Sequence, residues 1–124
     1  MTSPPATIQV FGLGRDQATR AALRFFKERR VPISFVDLRK RPMAPGELRR
    51  FVDRLGAEAL LDPTSSAYRL AGLGYLRMDT PGIVERVLED ATLLRLPLVR
   101  HGHEVTVARA EPTWTSWLKP GGGS

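Results

Sequence analysis

Asp16 stands where residue type and backbone geometry converge on anion chemistry. An apolar run, Thr7-Ile8-Gln9-Val10-Phe11, passes through Gly12-Leu13-Gly14-Arg15 into a helical pattern that begins at about Asp16. A strand that turns tightly into a helix aims the helix's first free N–H groups out of the sheet's carboxyl edge, and that spot favours an anion. A cysteine placed there is a strong nucleophile, because the helix terminus lowers its thiol pKa. Here a carboxylate holds the position, and the chain contains no cysteine. Disulfides, thiol catalysis and thiolate metal sites are excluded together. Asp16 reads as a plain N-cap, worth about 1 kcal/mol, or as a fixed negative charge in a thiolate's place.

His101 and His103 flank a glycine in a turn with no third ligand nearby, so exposure is preferred to a metal site, and no cofactor is expected. Lys and Arg number 19 against 13 Asp and Glu, a net charge of +6. Only Lys27, Lys40 and Lys119 are lysines, so the excess is carried by arginine, which suits phosphate and carboxylate partners. Arg20, Arg24 and Lys27 line one helix face, and Arg39 to Arg41, Arg49, Arg50 and Arg54 add further charge. These could form a nucleic-acid surface. No aromatics interleave with them, and Glu28, Asp53 and Glu58 interrupt them, so solvated faces are the preferred reading.

The elements that position these residues follow from periodicity. Ala18, Ala21, Ala22, Phe25 and Phe26 form one apolar stripe and predict a helix, stopped by Arg29-Arg30-Val31-Pro32. Ile33 to Leu38 predict a second strand, so the opening is a right-handed βαβ unit with parallel strands. Pro45 and Glu47 open a helix striped by Leu48, Phe51, Val52 and Leu55 and stopped at Gly56. Ala57 to Leu61 add a turn, and Ser66 to Leu70 a short helix. Asp79-Thr80-Pro81 start another helix, carrying Ile83, Val84, Val87 and Leu88. Leu96 to Val99 and Val105 to Val107 predict an antiparallel hairpin, with residues 100–104 between the strands. Glu111-Pro112 begin a last helix with Trp114, Trp117 and Leu118.

The order β-α-β, helical block, β-β-α predicts an α/β fold: a thioredoxin-like four-stranded mixed sheet with a helical insertion, about 43–94, between strands 2 and 3. One domain over 6–119 is expected, after a disordered arm at 1–5 and before a flexible tail at 120–124. No apolar run reaches membrane-spanning length and no signal pattern opens the chain, so a cytoplasmic protein off the membrane is expected.

Four stretches taken together resemble the glutaredoxin-type arsenate reductase family, which includes the Spx transcription regulators. They are Ile8 to Gly12 running into Arg20-Ala21-Ala22, Val36 to Lys40, Glu47 to Leu61, and Leu93 to Val99 with the following hairpin. The resemblance implies a nucleophilic cysteine where Asp16 stands and, in the Spx branch, a second where Thr19 stands. It implies oxyanion-holding arginines at Asp62, at Leu96 and at Arg109, of which only Arg109 is an arginine. It also implies a cis bond at Leu96–Pro97. Arg15, Arg95 and Arg109 then read as a vestigial anion pocket or as solvated surface arginines.

The leading functional reading is a non-catalytic, redox-inactive binding module with a protein partner, RNA polymerase by likeness to Spx. One alternative is an enzyme of altered chemistry, acting on a small anion or thiol in an Asp16/Arg109 cleft. The other is a DNA-binding protein.

Overall fold

The computed structural model describes residues 7–118; the arm and tail expected at 1–5 and 120–124 lie outside the described residues. The elements are β1 (Ile8–Gly12), α1 (Gln17–Glu28), β2 (Ile33–Asp37), α2 (Pro45–Leu55), α3 (Ser66–Leu70), α4 (Thr80–Glu89), β3 (Leu98–His101), β4 (Glu104–Val107) and α5 (Glu111–Trp117). Short 3-10 turns at Glu58–Leu60, Leu73–Tyr75 and Ala91–Leu93 divide the helical stretch. The sheet order is β2-β1-β3-β4. β1 runs parallel to β2 and antiparallel to β3, and β3 runs antiparallel to β4. This is the thioredoxin-like mixed sheet that the element order predicts.

Alternation along the strands sends side chains to two apolar layers. Ile8, Val10 and Val99 meet Ala22, Phe25 and Phe26 of α1 and Trp114 of α5. The Phe25, Phe26 and Trp114 rings lie 5.1–5.4 Å apart, and the Trp114 indole N–H donates to Thr106 Oγ1 at 2.9 Å. Burying each phenylalanine contributes roughly 1.5–3 kcal/mol. On the other face Phe11, Val36 and Leu98 join Leu48 and Phe51 of α2 and Ile83 and Val87 of α4 in one cluster. Phe11 and Phe51 meet edge to face at 5.8 Å. The helical block and the sheet therefore share one core.

Local signals explain the helix ends. Glu47 accepts the Ala44 N–H at 2.9 Å, but Ala44 has no side chain to answer it, so α2 opens on half a capping box. At the end of α1, Arg30 takes φ 57 and Val31 N–H reaches Phe26 O, with Arg30 N–H on Lys27 O. These are the two bonds of a Schellman motif, with arginine where glycine is usual.

The hairpin corrects the expected strand limits. Arg100, His101 and Glu104 are paired strand residues, with His101 opposite Glu104, and only Gly102 and His103 form the turn. Gly102 at φ 62 supplies the positive angle that a two-residue turn needs. Polar side chains made a strand end resemble a loop. Leu96–Pro97 is cis, as the resemblance implied.

Candidate functional site

The chain leaves β1 at Gly12 and turns through Leu13-Gly14-Arg15-Asp16, closed by Asp16 N–H on Leu13 O at 2.9 Å. Asp16 then takes extended backbone angles, as an N-cap requires. Its Oδ2 accepts both the Thr19 N–H and the Thr19 Oγ1–H, each at 2.8 Å. Thr19 is 0% exposed. A Cβ built on Gly12 would fall 2.4 Å from Thr19 Oγ1 and 2.6 Å from its Cγ2. Glycine is needed here because the end of β1 and the first turn of α1 touch through the threonine. The positive end of α1 is thus met by the chain's own carboxylate, locked in by a buried hydroxyl.

Two positions where the resemblance implies arginines are committed to other tasks. Asp62 Oδ1 accepts the Thr64 N–H at 2.9 Å and the Thr64 hydroxyl at 2.6 Å, which ties up the carboxylate within its own loop. The Asp62 N–H donates to Leu93 O, and Arg95 N–H to Leu60 O, on either side of a Leu61–Leu94 bridge. Leu96 is a buried member of the core shared by block and sheet.

The structure does not bring Arg15, Arg95 and Arg109 together. Arg15 lines a 360 Å³ groove beside the β1–α1 turn, with Asp37, Arg39, Glu89 and Asp90. Three carboxylates against two guanidiniums make that groove a poor seat for an anion. Arg109 lines a separate 650 Å³ groove along the side of α1, with Arg24, Phe25 and Glu28, and its guanidinium is ion-paired with Glu111. That pairing holds the Glu111 carboxyl below the usual carboxylate range. Arg95 is exposed and lines neither groove. A shared anion pocket would need three side chains to converge, and the fold points them apart.

The histidines separate as well. His101 lies 5.3 Å from the Trp117 ring, whereas His103 lines a cavity on the α2 side. Among the described residues no group of three or more His, Cys, Asp or Glu is placed to hold a metal ion. Nor is any helix among them long and apolar enough to cross a membrane.

Sequence reasoning missed two features. Thr19 stood only for a lost cysteine, but it is the buried partner of Asp16; the Asp-x-x-Thr spacing of a cap was the available signal. Arg100, which the sequence pattern puts between the strands, lies opposite Gln9 in the sheet. No local pattern joins residues so far apart in the chain.

The ArsC family model matches residues 11–116, and the chain belongs to the ArsC family. Solved structures agree in fold. The YFFB protein superposes with a TM-score of 0.84 at 18% identity, covering 91% of this chain and 100% of its own. An arsenate reductase from Vibrio cholerae gives 0.80 at 14% identity, covering 93% and 100%. An arsenate reductase related protein from Brucella melitensis gives 0.67 at 15%, covering 96% and 100%. No curated protein sequence matches the chain.

Proposed function

We propose that this chain is an ArsC-family binding module that has lost the thiol chemistry of arsenate reduction and acts through a protein partner. One observation carries the reading. The residue at the head of α1 is a carboxylate engaged with Thr19, in a chain without cysteine. Reduction through a covalent thiol adduct needs a thiolate, and no carboxylate can be oxidised to a disulfide and recycled. Likeness to the Spx branch makes RNA polymerase the partner to test first. The helical block offers exposed apolar side chains for such a contact, Leu70 at 88% and Tyr75 at 96%. The alternative of a small-anion enzyme using Asp16 and Arg109 has less support, since Arg109 is paired with Glu111 in a groove that Asp16 does not line.

The test assays arsenate reduction with glutathione and glutaredoxin, for the native chain and for Asp16→Cys. The native chain is expected to show no turnover. Asp16→Cys is expected to give a thiol of lowered pKa that alkylates readily, still without arsenate reduction, because Asp62 and Leu96 are not arginines. Thiol-dependent turnover by the native chain overturns the reading. Co-elution with purified RNA polymerase, weakened by Tyr75→Ala, is the expected result for the partner; separate elution removes polymerase from the proposal.

A further inference from the structure

At the opposite end of β1 from Asp16, α2 and the β3–β4 hairpin border an open cavity of 190 Å³. Arg50, Asp53, Arg54, Arg100 and His103 line it. Arg50 and Arg54 are one helical turn apart, so they share a face of α2 and repel each other there. Arg100 comes from the sheet. Its Nε and Nη2 both donate to Gln9 Oε1 at 3.3 Å, and its Nη1 donates to Gly102 O at 3.0 Å. A guanidinium has five N–H donors, and with three used by the protein, two remain for a ligand. Among the described residues none of the three arginines forms an ion pair, and Asp53 is the one carboxylate in the lining. Partial burial, and then the charge of Arg50, hold the Arg100 guanidinium below its ordinary pKa, with Glu47 opposing the shift. The site is therefore short of negative charge in its present form.

We propose that this cavity binds a phosphoryl dianion between Arg50 and Arg54 of α2 and Arg100 of β3. Hydrogen bonds to Gln9 Oε1 and Gly102 O hold the Arg100 fork in advance, so little of its side-chain freedom is lost on binding. The pocket has room for a phosphoryl group, and its open side lets anything esterified to that group extend into solvent. The dianion would offset the repulsion among the guanidiniums, which Asp53 and Glu47 offset only in part.

The experiment is an amide and arginine-Nε NMR titration of the whole chain at constant ionic strength, with chloride as reference. Inorganic phosphate is one probe and adenosine 5′-monophosphate the other. Saturable shifts are expected at Gly102, His103 and Arg100 with either probe. A preference for phosphate assigns the free ion, and a preference for the nucleotide assigns an ester. Arg54→Gln, on an exposed helix face, is expected to weaken binding about tenfold, and Arg50→Gln with Arg100→Gln to abolish it. Shifts that do not saturate, that chloride reproduces, or that Arg54→Gln leaves unchanged overturn the proposal. So does tight binding of duplex DNA that phosphate does not compete. Should the double variant fail to fold, Arg54→Gln alone decides.

Discussion

The head of α1 and the α2–hairpin cavity lie at opposite ends of β1 and treat charge in opposite ways. At the head of α1, a positive helix end meets a carboxylate from the same turn, and a buried hydroxyl closes the arrangement. At the cavity, guanidiniums from two distant elements meet without an ion-pairing carboxylate among the described residues. The first region is satisfied locally, by residues three apart. The second is assembled by the fold and keeps an excess of positive charge. The clearest anion signal in the sequence thus marks the place where the chain has already neutralised itself. The larger positive charge collects where no motif points.

Substitutions at four positions break or sharpen this contrast. The largest effect is expected for Gly12→Ala. Its methyl would enter the space of Thr19, at 2.4 Å from Oγ1, with Thr19 fully buried. Overpacking of this kind costs about 1–3 kcal/mol, read as a lower denaturation midpoint at unchanged m-value. An unaltered midpoint would show that the head of α1 is loosely packed.

Asp16→Ala comes next. It removes the acceptor of two bonds and leaves the Thr19 hydroxyl without that partner. The expected loss is about 1–2 kcal/mol. Asp16→Asn, which keeps an acceptor oxygen, should recover most of it; equal losses for both would place the effect in the charge.

Arg50→Gln acts in the other region and should behave in the opposite sense. It removes a like charge from beside Arg100, so stability should stay within about 0.5 kcal/mol of the parent, on the favourable side. A clear loss in thermal unfolding would mean that Arg50 has a stabilising contact.

The smallest effect belongs to Glu47→Gln, near the same cavity. The Arg41 fork at 2.9 and 3.1 Å holds the Glu47 carboxyl below the usual carboxylate range. A depressed folded pKa contributes stability above the unfolded value, and that contribution is lost as pH falls through the folded value. The parent should therefore melt slightly above Glu47→Gln at neutral pH, with the gap closing below about pH 4. A gap that persists into acid would assign the effect to the Ala44 N–H bond rather than to the charge. Solvent screening of the exposed Arg41 keeps the whole effect small.

Short-range features of this protein were legible before any coordinates. The α1 stripe, the Asp16 cap and the proline starts of α2 and α4 depend on neighbours within a turn, and the chain spells those out. The order of elements, under the rule of right-handed crossovers, was enough for the mixed sheet. Cysteine chemistry was excluded by composition alone. Tertiary structure decided the rest. It sent Arg15, Arg95 and Arg109 to separate surfaces, which rules against a shared pocket and for surface arginines. It extended the hairpin through His101 and Glu104, set Arg100 opposite Gln9, and brought α2 over both. Which face a strand residue takes depends on register, and register is a property of pairs. A single strand's sequence does not contain its partner's offset, and so the arginines that meet in this molecule could not be recognised as neighbours until the sheet was in place.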